Sequence, residues 1–176
     1  MILDRLFRPK AAQASGRALY AAVVEQARSP ALYADLGAPD TIEGRFEVYS
    51  LHVVLLLDRL RGQGGQSADI AQALFDTYVH ALDDALREMG VGDLSVGKKM
   101  RKLGEAFYGR ARSYESALAT LPDTADLEAL LARTVYADAD AGPASRLASY
   151  VLKQRAALAE ASIDSLAAGS APWAPA

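Results

Sequence analysis

The chain has 176 residues, 51% of them apolar and 23% charged, and a net charge of −3, a balance that excludes an extended disordered chain and suits one domain with a single core. It contains no cysteine, which excludes disulfides, thiolate metal sites and cysteine nucleophiles. Asp4 and Arg5 interrupt the apolar start as no secretory signal would, and the longest apolar run, residues 53–57, is far short of the roughly 20 residues that cross a bilayer, so a cytoplasmic location is expected.

Apolar residues recur at helical spacing throughout, and no stretch alternates apolar and polar residues long enough for a sheet. The expectation is an all-α fold, a single-domain bundle of about six to seven helices. Residues 1–15 form a flexible or amphipathic arm, residues 16–167 the helical domain, and residues 168–176 a non-helical tail. In the arm, Ile2, Leu3, Leu6 and Phe7 can share one side beside Arg5, Arg8 and Lys10, a composition that suits either packing on the domain or lying at the surface of the inner membrane.

The first strong segment covers residues 17–28 and ends at Ser29-Pro30. A short segment, residues 31–36, is expected to add one or two helical turns. Asp40 or Thr41 then caps a helix through LHVVLLL that is apolar nearly all round and therefore central. Gly62, Gly64 and Gly65 stop it, and Ser67 is the expected cap of the next helix, where Ile70, Leu74, Tyr78, Leu82 and Leu86 recur every fourth residue up to Gly90. Ser95 is the expected cap of a helix over residues 96–119, whose inner face is Val96, Met100, Leu103, Phe107, Ala111, Tyr114 and Leu118. Gly104 and Gly109 within it cost about 1 kcal/mol each relative to alanine, which suggests close approach by another helix or a ligand. A helix opened by Asp123 or Thr124 carries Leu127, Leu130, Leu131 and Val135, and ADADAGP makes a turn. The last helix, to about residue 166, leads into GSAPWAPA, whose prolines prevent a helix and whose Trp173 is an apolar anchor.

Catalytic patterns are sparse. His52 and His80 both fall within apolar helical faces and lack the close spacing of a metal pair such as HExxH, so hydrogen-bonded histidines within or beside the core are expected. Should the two meet in one concave pocket, Asp58, Asp76, Asp83 or Asp84 could complete a site. GQGG lacks the preceding strand and the lysine-serine ending of a phosphate loop, and Asp83 and Asp84 point in different directions from one helix. No enzyme, catalytic residue, cofactor or metal site is expected.

Charge carries the remaining signal. From Lys98 to Arg112, in and just after MGVGDLSVGKKMRKLGEAFYGR, Lys98, Lys99, Arg101, Lys102, Arg110 and Arg112 face one acid, Glu105, a local charge of +5 that leaves −8 for the rest of the chain. With Phe107 and Tyr108 along the same helix, these eight residues form the candidate partner-binding surface, Phe107 doubling as a core residue. Such a surface attracts an anionic partner, whether RNA, an anionic lipid surface or an acidic protein segment.

PDTIEGRFEVYSLHVVLLLDRLR, MGVGDLSVGKKMRKLGEAFYGR, YVLKQRAAL and the final tryptophan together resemble the ubiquinol-cytochrome c chaperone family in its bacterial form, from about residue 20 to the tail. MGVGDLSVGKKM is the specific part. The resemblance implies an assembly factor for respiratory complex III that binds newly made cytochrome b or its cytoplasmic segments. In mitochondrial members a small partner protein and the ribosome take part, and a bacterial member is expected to do without their long N-terminal extension. The competing reading is a general RNA- or ribosome-binding helical adaptor without a dedicated client.

Overall fold

The computed structural model describes residues 2–137 and 143–176, with side chains from Lys10 onward. The side chains of residues 1–9 of the amino-terminal arm, and residues 138–142 of the ADADAGP turn, lie outside the described residues. Among the described residues the chain is all-helical, with eight helices: α1 (Ile2–Ala27), α2 (Pro30–Ala34), α3 (Ile42–Leu60), α4 (Gly65–Glu88), α5 (Asp93–Ala119), α6 (Ala125–Thr134), α7 (Ala144–Glu160) and α8 (Ile163–Ala167).

Local chemistry sets most boundaries. Thr41 caps α3, its Oγ1 accepting the Gly44 amide at 3.0 Å. Gly62 and Gly64 carry the positive φ of the turn into α4. Three expectations shift. α1 starts fifteen residues before residue 17, because the alanine-rich stretch after Lys10 is a strong helix former and packs through small residues, with Ala12, Ser15 and Gly16 buried. Ser67 and Ser95 are not caps: α4 and α5 begin two residues earlier, after Gly64 and Gly92, which leaves Ser67 buried inside α4 and Ser95 exposed in the first turn of α5. The last expected helix divides where Ala161 turns extended and Ser162 caps α8, accepting the Ser165 amide at 3.0 Å.

The central position expected of LHVVLLL holds. From Glu47 to Leu56 in α3, only Tyr49 escapes full burial. α1 lies along α4 in parallel, Gly16 beside Ala73 and Leu74, and Tyr20 beside Tyr78 with ring centroids 6.2 Å apart. A Cβ on Gly16 would fall 2.6 Å from the Leu74 nitrogen, so this contact is backbone against backbone. α5 runs back along the other side of α4, and α6, α7 and α8 close the core around Leu127, Leu131, Leu147 and Leu166. α1 and α4 therefore end at the end of the bundle where α3 and α5 begin.

Candidate partner-binding surface

The α4–α5 turn is held by Arg87, which donates to Asp83 at 2.6 Å and also pairs with Asp93 in the first turn of α5. From there α5 extends for 27 residues, and its outward side is bare. Lys98, Lys99, Arg101 and Lys102 are exposed, and among the described residues none of them has an ion-pair or hydrogen-bond partner. Leu94 is fully exposed and Tyr108 is 59% exposed on the same helix. Among the described residues, Gly97, Gly104 and Gly109 meet no atom within 4 Å of where a Cβ would stand. The expected close approach of another helix at Gly104 and Gly109 is therefore not made among the described residues, where the tight glycine contacts are at Gly16, Gly44 and Gly169.

The remaining candidates have different surroundings. Arg110 makes two parallel 2.8 Å hydrogen bonds to the carboxylate of Glu47, itself buried in α3. This fork-to-fork pair fixes the register of α5 on α3. Phe107 is buried, its ring centroid 5.3 Å from Phe75 and 5.2 Å from Tyr78, so it braces Tyr108 from beneath rather than facing solvent. Arg112 is exposed where α5 meets α6, at a shallow depression shared with Asp126 and Arg133. Lys98, Lys102, Glu105, Gly109 and Arg112 succeed one another at helical spacing, so Arg112 continues the lysine stripe.

The two histidines do not meet. His80 is exposed on the outer side of α4, where Asp69 and Asp76 share its groove with α1. His52 is fully buried on α3, which leaves no common concave pocket. No group of three or more metal-ligating side chains occurs among the described residues.

A polar network that periodicity did not reveal surrounds His52. Its Nδ1 donates to the Val48 carbonyl at 2.8 Å, so its Nε2 is left to accept the Tyr150 hydroxyl at 2.6 Å. Gln26 donates to that hydroxyl at 2.9 Å and to the Ala174 carbonyl at 3.0 Å. Gln154, fully buried, holds Ala174 at both ends, donating to its carbonyl and accepting its amide at 2.8 Å each. Trp173 closes the assembly edge-on to His52, with centroids 5.2 Å apart. Burial pushes the imidazole down to about 4, outweighing the opposing hydrogen bond to Val48, so it is neutral and accepts from Tyr150 at physiological pH. The network fastens the tail to α1, α3 and α7. The sequence marked His52 as a hydrogen-bonded histidine within or beside the core and Trp173 as an apolar anchor, while Gln26 and Gln154 carried no spacing that singled them out.

Fold and surface together define an all-helical protein, among the described residues, that presents an open cationic helix. The profile of the ubiquinol-cytochrome c chaperones matches residues 34–173, and the chain belongs to that family. The crystal structure of the Cbp3 homolog from Brucella abortus is similar to it at 39% identity and a TM-score of 0.86, over 99% of this chain and 97% of that one. No curated protein matches the chain. Family membership makes it an assembly chaperone connected with respiratory complex III and implies a non-enzymatic role. No helix among the described residues is long and apolar enough to cross a membrane.

Proposed function

We propose that this chain binds newly made cytochrome b during assembly of the ubiquinol-cytochrome c reductase, and that the outer face of α5 is the contact. The observation that carries this reading is the set of four exposed cations, Lys98, Lys99, Arg101 and Lys102, without partners among the described residues of a chain whose net charge is negative. Exposed cations left without acids on their own protein are available to an anionic partner and steer its approach. Arg112 and Tyr108 extend the contact, while Phe107 and Arg110 hold the helix that presents it. The client is approached on the cytoplasmic side, at the periphery of the inner membrane, where ribosomal RNA and anionic lipid headgroups reinforce the same attraction. A small partner protein, as in mitochondrial members, would dock elsewhere on the domain.

Changing Lys98, Lys99, Arg101 and Lys102 to glutamate tests the proposal. The variant is expected to keep its helical circular dichroism and melting temperature and to lose co-purification with cytochrome b, with a fall in assembled complex III in a complemented deletion strain. Unchanged pull-down and unchanged complex III levels refute the proposal. Steep salt-dependent binding to RNA, with complex III independent of the protein, favours the ribosome-binding adaptor instead.

A further inference from the structure

Four large apolar side chains are strongly exposed among the described residues, Ile42, Met89, Leu94 and Tyr108, and two of them, Ile42 and Met89, stand at the mouth of one groove. It occupies the end of the bundle where α1 and α4 finish and α3 and α5 begin. The groove has a volume of about 530 Å³, with Tyr20, Phe46, Tyr49, Tyr78, Leu82 and Leu103 in its walls. Sequence periodicity assigns these side chains to the core, but Tyr20, Phe46, Tyr49, Leu82 and Leu103 are only partly buried. A concave apolar surface with exposed apolar rims is what a docking site leaves when its occupant is absent.

We propose that this groove takes one amphipathic α-helix of a partner protein, apolar face inward, with acidic residues along the flank that faces α1, α3 and α5. The backbone chemistry of the walls selects a helix. All four walls are helices, whose backbone groups are already paired within them, so an extended peptide would find no edge to bond and would bury its own amides and carbonyls unpaired. A helix satisfies its backbone internally and brings only side chains.

Charge selects the flank. Arg28 lies on the α1 wall, where its guanidinium donates to the Tyr49 hydroxyl at 2.9 Å, and Arg45 lies on the α3 wall, paired with Asp40. From Leu103, α5 leads back through Lys102, Arg101, Lys99 and Lys98, which lack ion-pair partners among the described residues. The α4 wall bears Asp84 and Glu88 instead, also without ion-pair partners there. These two carboxylates orient the incoming helix, and they oppose an anionic bilayer, which would press phosphates against them.

The inference rests on the chaperone reading only for who supplies the helix; the groove itself can be tested apart from it. The probe is a fluorescently labelled synthetic helix with leucines on one face and glutamates on one flank, beside a lysine-for-glutamate version and a serine-for-leucine version. The glutamate peptide is expected to bind the full chain, at least tenfold more tightly than either control, and to shift the methyl resonances of Ile42 and Met89. Because both side chains are half or more exposed, the double variant Ile42→Glu, Met89→Glu is expected to keep its fold and to bind the peptide at least tenfold more weakly. Absence of binding, equal binding of the lysine peptide, equal binding by the variant, or unmoved Ile42 and Met89 methyls would overturn the proposal. Binding to phosphatidylglycerol vesicles that disappears in the double variant would assign the groove to lipid and overturn it as well. Complex III lost on reversing the α5 charges but normal in the groove variant removes this inference and leaves the proposed function standing.

Discussion

Alanine at Gly104 and Gly109 separates what α5 needs for stability from what it offers a partner. Both positions lie inside a long helix, where glycine costs about 1 kcal/mol relative to alanine through the backbone freedom it loses. A Cβ at either meets no atom of the described residues within 4 Å, so no steric penalty among them offsets the gain. Each single substitution should therefore stabilise the chain by up to about 1 kcal/mol, which in a domain of this size raises the melting temperature by about 2–4 °C. Gly16→Ala is the opposing control: its Cβ would fall 2.6 Å from backbone atoms of Ala73 and Leu74, forcing α1 away from α4 at an overpacking cost of about 1–3 kcal/mol or more. Thermal unfolding followed by circular dichroism at 222 nm measures all three. A melting temperature lowered by Gly104→Ala or Gly109→Ala, or left unchanged by Gly16→Ala, would refute the reasoning. Co-purification with cytochrome b adds a second reading: stabilised variants that bind less well would show that a partner approaches the bare backbone of α5.

Three further perturbations address the interior. The His52 imidazole lies at about 4 in the folded chain against an ordinary 6.5, so between those values the unfolded chain takes up a proton that the folded one refuses. Its contribution to stability is complete above pH 6.5 and falls by about 3 kcal/mol as pH drops towards 4; denaturant titrations across that range should show this slope, and His52→Gln should flatten it. Glu47→Ala should cost about 2–4 kcal/mol by leaving the half-buried Arg110 guanidinium unpaired, and Arg110→Ala should cost a similar amount by orphaning the Glu47 carboxylate, whereas Lys99→Ala should change urea stability by less than about 0.5 kcal/mol. Trp173→Ala removes the ring over His52 and should cost about 2–3 kcal/mol, less than a fully buried tryptophan because the ring is partly exposed; hydrogen exchange at the Ala174 amide should accelerate with it, and a protected amide in that variant would show that Gln154 alone holds the tail.

Helix class, helix order and the basic face of α5 were legible in the sequence because they depend on near neighbours. A spacing of three and four residues places Val96, Phe107, Tyr114 and Leu118 on the inner side of α5 whatever it packs against, and the lysines take what remains. The start of α1 was missed for the same reason, since Ala12, Ser15 and Gly16 pack through small size rather than apolar bulk. Family membership too was legible in local strings such as MGVGDLSVGKKM.

Tertiary structure decided which charges are free. Lys99 and Arg110 look alike in the sequence, yet Arg110 is committed to Glu47, 63 residues away, while Lys99 has no ion-pair partner among the described residues. It also decided that His52 meets Tyr150 across 98 residues and that Gln26 and Gln154 grip the tail, contacts that periodicity cannot register because each joins helices whose relative rotation is set by the whole core. The groove belongs to the same class. Tyr20, Phe46, Tyr49, Leu82 and Leu103 obey the pattern of core residues, and they border open space because only α1, α3, α4 and α5 reach the groove, with no fifth element lining it among the described residues. A pattern along one helix determines which side avoids water; how completely that side is covered depends on how many other helices reach it.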